Sequence, residues 1–180
     1  MQITINWLKK ISNKKQHDAF TDLNRVKNNL LLCFRRATDH HSGDGRVVLQ
    51  RLNLQGRLID EREFQIQNSD LRDPKVLVLN NGQILLVAYE RKKTKNEQGE
   101  ELRISQNTYW SSLDGVEWQY KGYFGKPFHW CWRLTEYEQT IFGLAYERRT
   151  DSLFLYSGNE ELASLTSSAT PVLSKKQHGL

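Results

Sequence analysis

The sequence has little cysteine, proline or methionine: two Cys, three Pro and one Met among 180 residues. Two cysteines exclude a disulfide framework and a zinc site built from thiolates. Cys33 and Cys131 lie in the apolar or aromatic stretches LLLCF and HWCWR, so we predict that both are buried free thiols. His40 and His41 have no third ligand at metal-binding spacing, and therefore neither a metal site nor a cofactor is predicted.

Long apolar runs are also missing. No stretch is long enough to span a bilayer, and the first residues, MQITINWLKKISNKKQ, lack both a continuous apolar segment and a small-residue cleavage site. We therefore expect no membrane partner and, by default, a cytoplasmic protein.

The excess of positive charge is modest. The net charge is +5, from 26 basic and 21 acidic residues, which favours anionic partners. Most basic residues are interspersed with acids, as on a solvated surface. Two short basic clusters are the exceptions: Lys9, Lys10, Lys14 and Lys15, and then Arg91, Lys92, Lys93 and Lys95. No nucleic-acid motif accompanies them, so a nucleic-acid partner is not predicted, and an anion or nucleic-acid binder is the weakest alternative.

Three stretches of the chain resemble one another. Each is short and apolar and ends in charged residues, which is typical of a strand rather than a helix. Aligning Phe34, Tyr89 and Tyr146 gives steps of 55 and 57 residues. The stretches are NLLLCFRR (29–36), QILLVAYERK (83–92) and TIFGLAYERR (140–149).

Each similar stretch has extended segments before and after it, so the repeating unit is four antiparallel strands. Such units repeated around an axis form a β-propeller; a β-sandwich would explain the strands but not the steady repeat. The predicted fold is all-β, with about three blades of a propeller, which the family resemblance given below implies to be six-bladed, and an open edge that favours self-association. The predicted parts are an N-terminal segment (1–18), blades at 19–67, 68–127 and 128–166, and a tail or start of a missing fourth blade (167–180).

The stretch SSLDGVEW lies between the third and fourth predicted strands of the second blade. It resembles the Asp-box of bacterial neuraminidase repeats, in which Asp holds a tight turn, Gly adopts positive φ and Trp packs between strands. This version is one residue shorter than the commonest pattern. The matching residues are Ser112, Asp114, Gly115 and Trp118.

Other stretches, among them AFTDL, CFRRATDHHSGDGRVVL and GLAYERR, are similar to bacterial sialidase-related propellers. Over residues 18–164 the chain resembles the N-terminal half of an exo-sialidase. That resemblance implies hydrolysis of a terminal acidic sugar through an oxocarbenium-like transition state. Because the family's tyrosine nucleophile lies in a later blade, we expect weak or no activity from this chain.

The resemblance also implies site residues. Asp39 and Asp44 lie in the loop that follows the second strand, where the family has its acid/base. Arg35 or Arg36 matches an arginine that binds substrate. Asp22 stands at the first inner strand, where the family has an arginine.

Residues on the predicted inner strands add to this set. Arg72 and Arg133 are 61 positions apart, and two guanidiniums could bind one carboxylate or phosphate. Alternatively, Arg72 forms a structural ion pair with Asp70 or Asp73. Asp73 and Glu147 are further candidates for binding substrate. The triplet RDP also resembles five-bladed furanosidases of the invertase and arabinanase type, the runner-up enzyme class.

Trp130 and Trp132 flank Cys131 on one predicted strand, where they either stack on a sugar ring or pack between blades. A non-catalytic carbohydrate-binding or scaffold propeller uses the same blades and aromatic residues, because fold does not decide function. In both hypotheses the expected ligand is a glycan or a small acidic sugar.

Overall fold

The protein is described here by a computed structural model that covers residues 8, 10–12, 15–95, 97–147 and 149–175. The regular secondary structure of the described residues is strand, apart from one 3₁₀ turn at Leu162–Ser164. The strands are β1 (His17–Val26), β2 (Asn29–Ala37), β3 (Arg46–Asn53), β4 (Leu58–Phe64), β5 (Ser69–Val78), β6 (Ile84–Lys95), β7 (Glu101–Ser112), β8 (Gln119–Phe124), β9 (His129–Tyr137), β10 (Thr140–Glu147), β11 (Ser152–Gly158), β12 (Thr166–Ser167) and β13 (Leu173–Ser174).

Three antiparallel sheets follow one another along the chain. The first sheet has the order β1-β2-β3-β4 and the middle sheet the order β5-β6-β7-β8. In the third sheet β9, β10 and β11 pair in order, and the two-residue strands β12 and β13 both pair with β11. Every sheet therefore begins on its inner strand and proceeds outward by hairpins. This is a partial β-propeller, as the repeat predicted, and the described sheets do not close into a ring.

The alternation of side chains explains how the sheets stack. In β6, Ile84, Leu86 and Ala88 pack toward the first sheet, whereas Leu85 and Val87 pack toward the third sheet. A strand that is buried on both faces must be apolar at nearly every position. The unbroken run ILLVA meets that requirement and places β6 in the interior of the stack.

The two cysteines lie in the two interfaces between sheets. Cys33 belongs to the core between the first and middle sheets, and Cys131 to the core between the middle and third sheets. Both are free and buried, as predicted. Burial disfavours the thiolate and raises the pKa of each thiol to about 12.

Each inner strand contains a β-bulge. The register shifts between Ala19 and Asp22 in β1 and between Arg72 and Lys75 in β5. In β9 the bulge lies between the residues paired with Gly143 and Ala145. Two non-glycine residues at these bulges adopt positive φ, Phe20 at 60° and Asp73 at 46°. Bulges change the direction of side chains, so the polar residues near the axis do not follow simple alternation.

The third sheet leaves one face uncovered. The segments LLVAYE (85–90) and FGLAYE (142–147) occupy equivalent places in β6 and β10. Val87 is 3% exposed, but the equivalent Leu144 is 50% exposed, and Trp132 and Leu155 are exposed beside it. In contrast, the first sheet has a buried cluster of Leu32, Phe34, Val48 and Leu52 on the face away from the middle sheet.

Strand pairing shifts the sequence alignment by one residue. Immediately before the bulges Ala19 pairs with Arg35, and Arg72 pairs with Tyr89. Arg35, rather than Phe34, is therefore equivalent to Tyr89. Within the described ranges, no helix is long and apolar enough to cross a membrane.

Candidate functional site

A buried ion cluster lies where the first sheet meets the middle sheet. Asp70, the second residue of β5, accepts hydrogen bonds from two arginines. Nε and Nη2 of Arg35 lie 3.2 and 2.9 Å from Asp70 Oδ1, and Arg72 Nε lies 2.6 Å from Asp70 Oδ2. Arg35 is 0% and Arg72 7% exposed. A single carboxylate thus holds two buried guanidiniums, and the cluster keeps an excess positive charge.

The loop at residues 38–45 binds the same arginines through its backbone. The carbonyl oxygens of Asp39 and Ser42 accept hydrogen bonds from Arg35 at 3.0 and 2.8 Å. Arg72 Nη2 also lies 3.4 Å from the carbonyl oxygen of His40. Most of the guanidinium donors are therefore occupied by protein groups. Of the two roles predicted for Arg72, these contacts are those of the structural ion pair.

Asp39 and Asp44, the acid/base candidates, both lie exposed in the 38–45 loop. Asp39 Oδ1 accepts hydrogen bonds from the backbone N–H groups of His41 and Ser42. Asp44 binds the backbone N–H and the hydroxyl of Thr38. These bonds stabilise the carboxylate, so the pKa of Asp39 is lowered and that of Asp44 falls to about 2. Both groups are ionised at neutral pH and cannot donate a proton as general acids there.

Gly45 lets the loop approach the ion cluster. A Cβ at this position would lie 2.2 Å from Asp70 Oδ1 and 2.5 Å from Arg35 Nε. The Gly45 carbonyl oxygen also accepts a hydrogen bond from the Leu71 N–H at 2.8 Å. Only glycine can occupy the position without displacing the carboxylate or the guanidinium.

Asp73 differs from the loop aspartates. It is partly buried in the β5 bulge, and burial raises the pKa of its carboxyl, although Lys75, Arg72 and Arg35 oppose the shift. A partly buried carboxyl with a raised pKa is the usual form of a general acid.

Histidine and aromatic rings cover the loop side of this region. The ring centroid of His40 lies 5.5 Å from those of His17 and Phe20 and 4.8 Å from that of His41. Burial, the other two histidines and the two arginines lower the pKa of His40, so the ring is neutral at pH 7. In the described part of the chain, no three His, Cys, Asp or Glu side chains are placed to hold a metal ion.

A cleft of about 770 Å³ lies beside the ion cluster, between the middle and third sheets. Basic residues dominate its walls, and Asp70 is the only acidic residue among the described residues that line it. The basic lining residues are Arg91, Lys92, Lys93, Arg103 and Arg149. Sequence reasoning identified the first three as a cluster but missed Arg103 and Arg149, which arrive from other strands.

Aromatic side chains form the inner part of the cleft. Tyr89 and Trp130 stack with centroids 4.3 Å apart and planes at 6°, and the Tyr89 hydroxyl donates to Ser105 Oγ at 2.8 Å. The Arg149 guanidinium lies 3.7 Å from the ring centroid of Phe128. The Trp130 indole N–H is buried without a hydrogen-bond acceptor among the described residues. Trp130 packs between sheets, one of its two predicted roles, while Trp132 is 54% exposed.

The remaining predicted residues lie elsewhere. Arg36 is buried and bonds Asp18 at 2.9 Å, with Glu61 and Glu63 as further partners. Glu147 ends β10 and accepts a hydrogen bond from Thr150.

Asp22 connects all three inner strands near the axis. Its carboxylate accepts hydrogen bonds from the Val76 N–H at 3.0 Å and from Arg133 Nη1 at 2.9 Å. Arg72 and Arg133 thus hold two different carboxylates rather than one shared anion.

The stretch SSLDGVEW forms the turn between β7 and β8. Asp114 Oδ1 accepts the N–H groups of Val116 and Glu117 at 2.8 and 2.9 Å. Ser112 Oγ accepts the N–H of Gly115, whose φ is +76°. The Trp118 ring lies 5.9 Å from that of Phe64 in the first sheet. These four residues have structural roles.

No protein-family model and no curated protein sequence matches the chain. Among solved structures, a protein of unknown function from Dyadobacter fermentans DSM 18053 matches 87% of the chain with a TM-score of 0.66 at 18% identity. Zg3597, a family 117 glycoside hydrolase of the marine bacterium Zobellia galactanivorans, matches 93% with a TM-score of 0.66 at 11% identity. A Trypanosoma rangeli sialidase matches 85% at 9% identity, with a TM-score of only 0.41 that supports no conclusion.

The chain spans 55% and 61% of the lengths of the first two proteins. At these identities the likeness shows the fold alone, a β-propeller of the kind found in a glycosidase.

Proposed function

We propose that this chain is a glycan-binding propeller segment that binds an acidic sugar in the cleft between the middle and third sheets. The observation that carries the proposal is the composition of the cleft: five basic residues, an aromatic stack, and one acid that two arginines already neutralise. Concave sites with an aromatic wall and a few polar groups are typical of small-ligand binding. The neighbour that is a glycoside hydrolase supports the choice of a carbohydrate.

An acidic monosaccharide would lie at the aromatic end of the cleft. There Arg149 supplies a guanidinium for the carboxylate. The edges of the stacked Tyr89 and Trp130 rings supply apolar surface beside the sugar. Each of these groups is in place before the ligand binds, which reduces the ordering cost of binding.

The proposal is tested by titrating the protein with N-acetylneuraminic acid and galacturonic acid, with tryptophan fluorescence and NMR as readouts. We expect saturable binding that Arg149→Gln weakens about tenfold, the usual effect of one charge-assisted hydrogen bond. Lys121→Gln, which removes an exposed charge on β8 outside the cleft lining, is the matched control. Absence of binding by either acid, or an equal effect of the two substitutions, would contradict the proposal.

A second candidate function is sialidase-like hydrolysis, and the observation that favours it is Asp73. Asp39 and Asp44 are held ionised, whereas the partly buried Asp73 carboxyl has a raised pKa and is the better proton donor. Turnover of a fluorogenic sialoside by the wild-type chain, lost in Asp73→Asn and kept in Asp39→Asn, would support it. If the wild-type chain binds acidic sugars without turning over the sialoside, the binding function stands alone.

A further inference from the structure

We infer that the cleft binds a repeating anionic oligosaccharide, with charged groups on successive sugars, rather than a single acidic sugar. The inference rests on the proposed function, because it concerns the same cleft. The inferred oligosaccharide makes a second set of contacts along the β6–β7 hairpin. These contacts lie beyond the aromatic end of the cleft, where the first sugar binds.

The positive charges are distributed along the cleft rather than gathered at one point. Arg149, which follows β10, lies at the aromatic end beside Phe128. Arg91, Lys92 and Lys93 follow one another on β6, and Arg103 is the cross-strand partner of Lys93 on β7. At about 3.4 Å per residue, Arg91 and Lys93 are about 7 Å apart along the strand. Positive charges spread over this length can contact anions on neighbouring sugars at the same time.

The distal charges are available to a ligand. The side chains of Lys93 and Arg103 are 66% and 70% exposed, and their common partner Glu101 lies 3.4 and 3.6 Å away. Exposed ion pairs of this kind contribute little stability, so an anionic ligand displaces them at small cost. Ile104 follows Arg103 on β7 and is 44% exposed in the wall of the cleft. Its side chain gives apolar surface for a second sugar ring.

The size of the cleft agrees with more than one ring. Its volume of about 770 Å³ is in the upper part of the range of about 300–1,000 Å³ for small-ligand pockets. The long β6–β7 hairpin, with both strands running 12 residues, extends this wall beyond the ends of the shorter strands β10 and β11.

The aromatic groups favour a glycan over a single-stranded nucleic acid. Bases bind by stacking on open aromatic faces. Here Tyr89 and Trp130 stack on each other, and Tyr89 is only 5% exposed. The pair therefore offers ring edges, which suit the C–H groups of a sugar.

The test is a comparison of chain lengths. The whole chain is titrated by calorimetry with galacturonic acid, its trisaccharide and its hexasaccharide, and with a neutral hexasaccharide and a single-stranded hexanucleotide. We expect affinity to rise about tenfold or more from monosaccharide to hexasaccharide, because the second contact is intramolecular. The gain should decrease as salt is raised, and the neutral hexasaccharide should bind no more tightly than the monosaccharide.

Variants locate the second contact. Arg103→Gln and Lys93→Gln should remove most of the gain for the hexasaccharide and lower galacturonic acid affinity much less than Arg149→Gln does. Lys121→Gln should alter neither. Both cleft positions are exposed, so folding is not at risk, and circular dichroism confirms it.

The outcomes separate the two proposals. If galacturonic acid binds and the hexasaccharide binds no more tightly, the oligosaccharide inference is overturned and the proposed function survives. If no acidic sugar of any length binds, both are overturned. Tighter binding of the hexanucleotide than of the hexasaccharide would replace the glycan with a nucleic acid.

Discussion

The interface between the first and middle sheets is charged, whereas the equivalent place between the middle and third sheets is aromatic. Asp70 and Trp130 are each the second residue of an inner strand. Each lies two positions after a residue with positive φ, which is Asn68 for Asp70 and Phe128 for Trp130. Asp70 meets Arg35 of the preceding sheet, and Trp130 meets Tyr89, which occupies the place equivalent to Arg35. The same backbone thus supports an ion pair in one interface and a ring stack in the next.

This difference separates two roles. The ion cluster is deeply buried, its donors are used by protein groups, and it fixes the 38–45 loop against the middle sheet. The ring stack borders the open cleft, and the buried indole N–H has no acceptor among the residues that the structure describes. The first interface therefore fixes the position of a loop, whereas the second interface borders the cleft in which we propose that a ligand binds.

The largest expected effect comes from breaking the charged interface. Asp70→Asn leaves two buried guanidiniums without a carboxylate, and removing one partner of a buried ion pair costs about 3–5 kcal/mol. Denaturant unfolding measures the loss. Glu117→Gln, which breaks the exposed pair with Arg62, is the control and should cost less than about 0.5 kcal/mol. Equal losses would mean that the cluster contributes no more than a surface pair.

The next effect contrasts the covered and uncovered sheets. Leu85→Ala creates a cavity between the middle and third sheets and should cost about 2–5 kcal/mol. Leu144→Ala, at a half-exposed position on the corresponding face of β10, should change the free energy of unfolding by less than about 0.5 kcal/mol. A large loss at Leu144 would show that its face is covered in solution.

That result bears on self-association, which the sequence also predicts and which we propose to occur through this face. Light scattering measures it directly. A change from oligomer to monomer on Leu144→Arg would support the proposal, and a monomeric wild-type chain would contradict it.

A smaller effect isolates the aromatic interface. In a double-mutant cycle, Tyr89→Leu and Trp130→Leu should show a coupling of about 0.5–1.5 kcal/mol, the range for stacked rings. The free energies of unfolding of the two single variants and the double variant give this value. A coupling near zero would mean that the rings contribute only by their buried area.

The smallest effect is in the pH dependence of the 38–45 loop. Hydrogen bonds from the side chain of Ser42, and from the side chain and backbone of Thr38, lower the pKa of Asp44 to about 2 from the ordinary 3.8. A lowered carboxyl pKa stabilises the fold above pH 3.8 and loses its contribution as the pH falls toward 2. Asp44→Asn should therefore be less stable than the wild type at neutral pH and equal to it near pH 2. Melting temperatures of the wild type and of Asp44→Asn, measured between pH 2 and pH 7, test this prediction. A difference that stays constant with pH would contradict the lowered pKa of Asp44.

Much of the fold could be predicted from the sequence, because strand repetition depends on local patterns. The stretches ILLVAYE and IFGLAYE are apolar at successive positions, as strands packed on both faces must be. The inner-strand bulges could not be predicted. Phe20 and Asp73 have positive φ without being glycine, so no residue type marks them, and the alignment consequently placed Phe34 where Arg35 stands.

The site was predictable only where it is local. The proximity of Asp70 and Arg72 was visible because they are two positions apart, but their link to Arg35 depends on how two sheets pack. Arg149 reaches the cleft from the third sheet, and its role depends on that packing too. A sequence shows clusters of charged residues, but which residues lie opposite them in the cleft depends on the tertiary structure.

Gly45 has a consequence for how this protein can vary among its relatives. Any side chain at this position would overlap Asp70 and Arg35. A lineage that keeps the ion pair must therefore keep the glycine. A lineage with aromatic residues in place of Asp70 and Arg35, like those in the next interface, does not need glycine at position 45. Position 45 should accordingly co-vary with positions 35 and 70, and an alignment of homologues would record which of the two interface types each lineage adopted.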